Sequence, residues 1–207
     1  MTEDDALAWI TKLYPQAVPT LAQLLDLLRE EATRQNLVAA STLATPWSRH
    51  IVDSAQLVPL ARDPAGAWLD IGSGAGFPGL VVAIVTGAPV LCVEPRARRA
   101  EWLRHAADTL GLTTVTVAGT SLAHVTPTPV ATITARAVAA LPRLFDMGLP
   151  FATLTTRWLL PKGASANAEV DDARREWQGV FHVEHSVTDA DAGIVVAERV
   201  RRGRARA

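Results

Sequence analysis

The chain has 207 residues, 49% of them hydrophobic, and a formal net charge of −1; it suits one ordinary domain that buries roughly 70% of its unfolded surface without help from a disulfide or a metal. Its single cysteine, Cys92, excludes a disulfide framework and a multi-cysteine zinc site. No apolar run approaches the roughly 20 residues of a membrane span, and the acidic start "MTEDDALAW" is neither a secretory signal nor a transit peptide, so the expectation is a soluble cytoplasmic protein.

In chain order, "LAQLLDLLREEATRQNL" predicts a helix with Leu21, Leu24, Leu25 and Leu28 on one face and charges opposite. A second helix is expected through "TPWSRHIVDSAQLVPLA", with Pro46 in its first turn and Trp47, Ile51, Leu57 and Val58 as its apolar positions. On it Arg49 and Asp53 fall four residues apart and are expected to pair on one face, with His50 beside them. These helices read as a small cap over residues 1–64. After the turn "RDPAG" the pattern changes, and residues 65–207 alternate strand with helix. The strands are "AWLDI", "PVLCVE", "TTVTVA", "VATITARAV" and "TRWLLPKG". The helices between them are "PGLVVAIVT", "RARRAEWLRHAADTLGL" and "LPRLFDMGLPFA", followed by an exposed "EVDDARREWQ". "VFHVEHSV" and "AGIVVAERV" close the chain as an antiparallel edge pair. Seven strands in this order predict an α/β fold with a mostly parallel sheet covered on both faces. Arginines gather twice, at Arg96, Arg98, Arg99 and Arg104, and at Arg199, Arg201, Arg202, Arg204 and Arg206. Each group reads either as a solvated face or as a phosphate-binding one.

Between the first strand and its helix lies "LDIGSGAGFPGL". As D-x-G-x-G-x-G it runs Asp70, Gly72, Gly74, Gly76, the pattern of an S-adenosylmethionine (SAM) site. As G-x-G-x-x-G it runs Gly74, Gly76, Gly79, the dinucleotide fingerprint. Glu94, closing the second strand, supplies a carboxylate for a ribose diol, which both cofactors carry. Asp70 tilts the choice, since a carboxylate favours the cationic amino-acid end and sulfonium of SAM and repels the pyrophosphate of NAD. Phe77 and Pro78 suit a wall over a small cofactor better than a phosphate cradle, with Pro78 on the substrate side. The stretch after the loop is also short for a full dehydrogenase with a separate substrate domain. SAM is the expected cofactor, and a dehydrogenase stays the last alternative.

"RHIVDSAQL", "LDIGSGAGFPGL", "VEPRARRAEWL", "TARAVAAL" and "PKG", in that order, resemble the bacterial 16S ribosomal RNA guanine-N7 methyltransferases, the glucose-inhibited division protein B family. The resemblance covers nearly the whole chain, from Asn36 to the closing strand. It implies a class I SAM-dependent methyltransferase fold of the Rossmann-like type, a SAM donor, and one guanine N7 in the decoding-centre loop of 16S rRNA as acceptor. By motif it carries cofactor contacts onto Gly72, Phe77, Ser121 and Leu122, and a binding role beside the transfer site onto Arg136. The stretch after the third strand, "AGTSLAHV", departs from the family pattern in lacking an arginine and acidic residues.

Guanine N7 bears a free lone pair at neutral pH, so no general base is expected and no catalytic residue is nominated. The site has only to hold N7 and the methyl carbon in line. Arg49, His50 and Asp53 are expected to contact RNA or latch the cap. Arg136 is expected to fork onto phosphate, and Lys162 to lie at the active edge. Arg98 and Arg99 are candidates for RNA backbone contacts. The expected partner is the small ribosomal subunit, with neither membrane nor metal, and the expected state is a monomer. Two further readings stay open: a SAM enzyme acting on a small molecule, and a non-catalytic RNA-binding or ribosome-assembly protein on the same fold.

Overall fold

The computed structural model describes residues 1–203; Arg204 and Arg206 of the basic tail lie outside the described residues. The chain opens with helix α1 (Glu3–Leu13), which is not among the expected elements. Its start is fixed by a capping box, in which Thr2 Oγ1 accepts the Asp5 N–H at 3.2 Å and the Asp5 carboxylate reaches back to the Thr2 N–H. Helix α2 (Val18–Ala32) follows, its four leucines buried as the spacing predicts. The second cap helix is not continuous. Trp47–Val52 winds as a π-helix, Asp53–Ala55 is a single α-turn (α3), and Val58–Leu60 is a 3₁₀ turn.

The rest is β1 (Trp68–Ile71), α4 (Gly79–Thr86), β2 (Val90–Val93), α5 (Ala97–Thr109), β3 (Val115–Ala118), β4 (Thr132–Thr134), α6 (Leu141–Gly148), β5 (Arg157–Gly163), α7 (Ala166–Ala173), β6 (Trp177–His185) and β7 (Gly193–Arg202). The sheet order is β3-β2-β1-β4-β5-β7-β6. The first five strands are parallel, while β7 is antiparallel to both β5 and β6. The order reverses between β1 and β4, so the crevice for a ligand opens at their carboxyl ends.

Two expected elements move. The fourth strand stops at Thr134, so Arg136 lies in the loop beyond it. The helix expected to run through Trp177 stops at Ala173, and Trp177 instead opens β6, where it is buried. Nor is α7 wholly exposed: Ala166, Val170 and Ala173 pack inward.

Each sheet face has its own core. The cap, α4 and α5 cover one face with Leu24, Leu28, Ile51, Trp68 and Leu103, while α6 and α7 cover the other around Phe145, Trp158 and Trp177. Helix α4 is wedged between the sheet and the cap, which explains why "GLVVAIVT" is apolar on every side. Among the described residues no helix is long and apolar enough to cross a membrane, and no His, Cys, Asp or Glu cluster could hold a metal ion.

Candidate functional site

The loop after β1 is pinned by main-chain bonds. The Gly72 and Ser73 N–H groups donate to Val93 O at 2.8 and 3.1 Å, and Gly76 N–H closes a turn on Ser73 O at 2.7 Å. Gly72 has φ +69°, and a Cβ there would lie 2.7 Å from Val138 Cγ2, so both backbone and space demand glycine. Asp70 does not face a ligand, contrary to the charge argument made for it. Strand alternation turns its side chain onto the α4 face beside its register partner Cys92, where it is 1% exposed. There its carboxylate accepts the Gly79 N–H at 3.1 Å and the Thr134 hydroxyl at 3.0 Å. Burial pushes this carboxyl up to about 6, against the lowering effect of its hydrogen bonds. Asp70 therefore organises the loop from beneath.

Glu94, 4% exposed, accepts the Gly74 N–H at 3.0 Å on one oxygen and the Arg96 N–H at 2.9 Å on the other. Each oxygen retains lone-pair capacity. A cavity of about 250 Å³ opens beside it, lined among others by Gly72, Glu94, Ser121, Leu122, Val138 and Met147. This set fits the nucleoside part of SAM: a glycine floor that a methyl would fill, a carboxylate acceptor, and the apolar walls Leu122 and Met147. The structure thus brings Gly72, Glu94, Ser121 and Leu122 together, although they come from three separate loops.

A larger cavity, about 760 Å³, lies between the cap and the ends of β5 and β7, and shares Ala137 and Val138 with the first. Arg49, His50, Asp53, Arg136 and Lys162 all line it. The expected Arg49–Asp53 pair does not form, because the π-helical turn breaks the four-residue register. Arg49 instead reaches Asp189 at 3.8 Å, and Asp53 pairs with Arg136 at 2.9 Å. Arg136 also donates to Arg49 O at 3.1 Å, and its guanidinium lies 5.4 Å from the centre of the Phe77 ring. It latches the glycine loop to the cap rather than standing free for phosphate. His50 is buried and stacks on Phe77, with centroids 4.8 Å apart, while its Nε2 meets Thr42 Oγ1 at 3.0 Å. Burial, then Arg136, then Arg49 lower its pKa to about 4, so the ring is neutral at physiological pH. Gln56, not singled out by any motif, accepts the Val187 N–H at 2.8 Å and ties the β6–β7 loop to the cap.

Other candidates sit elsewhere than expected. Phe77 and Pro78 line neither cavity: Phe77 is buried under the His50 and Arg136 side chains, and Pro78 is buried at the head of α4. Gly74 and Gly76, both at positive φ, shape the loop and line neither of these two cavities. Arg98 donates to Arg34 O at 2.9 Å and Arg99 to Asn36 O at 3.1 Å, fastening α5 to the end of α2. Only Arg99 of these two lines the smaller cavity, beside Arg96. Lys162 is turned inward, its side chain 9% exposed and paired with Glu169 at 2.9 Å. Arg201 and Arg202 lie at the sheet end away from both cavities, where Arg202 pairs with Asp146 and lies over Trp177.

Residues 17–195 match the family model described as GidB, rRNA small subunit methyltransferase G. A ribosomal RNA small subunit methyltransferase G from Sphingopyxis alaskensis is 47% identical over 198 residues, covering 94% of this chain and 85% of its own. That of Zymomonas mobilis is 42% identical, covering 97% and 95%. Among solved structures, a variant of MtNAS in complex with S-adenosylmethionine aligns with TM-score 0.61 at 20% identity, over 93% of this chain and 77% of that one. The B. subtilis tRNA methyltransferase TrmK aligns with TM-score 0.55 at 14% identity, over 72% and 65%. At these identities the structural likeness establishes a shared fold.

Proposed function

The chain belongs to the GidB family of small-subunit rRNA methyltransferases, and we propose that it methylates N7 of one guanine in the decoding-centre loop of 16S rRNA, with SAM as donor. The observation that carries this reading is the pair of cavities meeting at Ala137 and Val138: one has the lining of a nucleoside site, the other has room for an extruded base. When bound, SAM supplies a methyl group carried on a sulfonium. Gly72, Glu94, Ser121 and Leu122 would hold the adenosine part.

Guanine N7 needs no deprotonation, and the residues around the larger cavity are consistent with a site that only orients. His50 is neutral and engaged on both ring nitrogens, with Thr42 at 3.0 Å and Arg136 at 3.4 Å. Asp53 accepts from Arg136 and from Thr188. The cavity's arginines and lysine are matched by Asp53, Glu169 and Asp189, so attraction to the RNA backbone falls to Arg96, Arg98 and Arg99 on the α5 side. Arg98 and Arg99 each commit one guanidinium nitrogen to a carbonyl, which leaves further donors for phosphate. In this reading residues 1–64 act as the cap, residues 65–207 as the methyltransferase domain, and the enzyme works in the cytoplasm on the small subunit.

The test is transfer of labelled methyl from SAM into small subunits from cells lacking this enzyme, with naked 16S rRNA and tRNA alongside. Incorporation into small-subunit rRNA, abolished by Gly72→Asp, supports the reading. Measurable SAM binding without incorporation into any rRNA overturns it.

A further inference from the structure

The loop from Ala137 to Leu141 is held in a conformation its sequence does not favour. Ala137 has φ +57°, a left-handed geometry that residues with a Cβ keep only where the surroundings impose it. The next residue, Val138, is a large apolar side chain left 38% exposed, yet it stands against Gly72 so closely that an added methyl there would meet it at 2.7 Å. Val138 lines both cavities and is the wall between them.

Two residues, from β5 and α7, grip the loop just beyond Ala137. Lys162 Nζ donates to Ala139 O, and Glu169 Oε2 accepts the Leu141 N–H at 3.1 Å. The two side chains pair at 2.9 Å, and the second Glu169 oxygen accepts the Ser165 hydroxyl at 3.0 Å. The side chains are 9% and 22% exposed, so water competes weakly for either group. One carbonyl and one N–H of the same short loop are thus gripped from both sides of an ion pair.

We propose that Lys162 and Glu169 are positioning residues, a clamp that holds Ala137 in its unfavoured conformation and so keeps Val138 in place as the partition beside the methyl-donor site. The proposal rests on reading the smaller cavity as that site. Glu169 acts through Leu141 and Val138, and Lys162 acts through Ala139, whatever contact its remaining N–H makes with substrate.

The test is SAM titration by calorimetry with wild type, Glu169→Gln, and Glu169→Gln combined with Ala137→Gly, each first shown to be folded by circular dichroism. Glu169→Gln is expected to weaken SAM binding by about fivefold to tenfold, because Ala137 relaxes and carries Val138 with it. Glycine takes φ +57° at little cost, so adding Ala137→Gly is expected to restore affinity to within about twofold. A role for Lys162 and Glu169 confined to RNA contact, or to general stability, gives no such rescue. If Glu169→Gln does not fold, Lys162→Gln, also combined with Ala137→Gly, takes its place, since it too removes the ion pair. Wild-type affinity in the clamp variant, or a loss that Ala137→Gly leaves unrepaired, overturns the proposal. No SAM binding by the wild type overturns instead the reading on which it rests.

Discussion

Replacing Gly72 with alanine perturbs the site in two separable ways. At φ +69° an alanine meets the left-handed penalty, about 1–2 kcal/mol. Its Cβ also lies 2.7 Å from Val138 Cγ2 and 3.4 Å from Cγ1, well inside the roughly 3.5–4.0 Å of favourable carbon contact. Overpacking of this kind costs about 1–3 kcal/mol where nothing yields. Val138 is partly exposed and can swing away, so much of that second cost should appear as lost cofactor affinity rather than lost stability. Gly72→Ala is therefore expected to lower urea-unfolding stability by about 1–3 kcal/mol and to raise the SAM Kd more than tenfold. Trimming the partner separates the two effects. In Val138→Ala the nearest remaining atom is Cβ, at 3.6 Å, which is ordinary contact. The double variant should recover the clash and keep the backbone cost, giving a favourable coupling of about 1 kcal/mol in the cycle. Stability and affinity losses that simply add, or a Gly72→Ala protein that binds SAM like wild type, would refute this account of the loop.

Four further outcomes follow from the same geometry. Removing the acceptor of the cap latch, Asp53→Asn, should lower stability by about 1–2 kcal/mol in urea titration with little change in SAM Kd, since Arg136 loses a half-buried charged partner; an unchanged midpoint counts against the latch. His50 has a folded pKa of about 4, below the ordinary 6.5, so the unfolded chain binds more protons and this residue's stability contribution is lost as pH falls from about 6.5 to about 4. Wild type should thus lose about 2–3 kcal/mol relative to His50→Asn across that window. Asp70 has the opposite sign: its carboxyl, raised to about 6 from 3.8, costs stability when ionised, so wild type should gain on Asp70→Asn as pH falls through 6 towards 3.8, and parallel profiles for either pair contradict the burial argument. Cys92 is fully buried and its thiol is pushed far up by burial and by Asp70, so it should resist a thiol reagent at pH 8 until urea unfolds the chain; rapid labelling of native protein contradicts this packing.

The parallel strands are legible as short runs rich in Val, Ile, Leu and Thr set off by nearby glycine or proline, and the glycine loop marks where the first one ends. What escaped depends on partners far away in the chain. Nothing in "WSRHIVD" distinguishes a π-turn from an α-turn, and the true partner of Asp53 is Arg136, 83 positions on. The charge of Asp70 points to a ligand, whereas strand parity turns its side chain onto the α4 face. Helix α1 carries two local signals, the capping box from Thr2 to Asp5 and an apolar stripe at Ala6, Trp9, Ile10 and Leu13, so its absence from the expected elements has no physical ground. The partition at Val138 had no sequence signal beyond its nearness to Arg136, because its role comes from a close approach to Gly72, 66 positions earlier (138 − 72).

The measurement that tests the central claim most directly maps the product. Small subunits from cells lacking this enzyme would be incubated with it and SAM, and their 16S rRNA then cleaved by borohydride and aniline, which cut at N7-methylguanine. The account predicts a single new cut, in the decoding-centre loop, absent when Gly72→Asp replaces the wild type. Methyl incorporation without that cut, or cuts at many guanines, would contradict a site built to hold one extruded base against the Val138 partition.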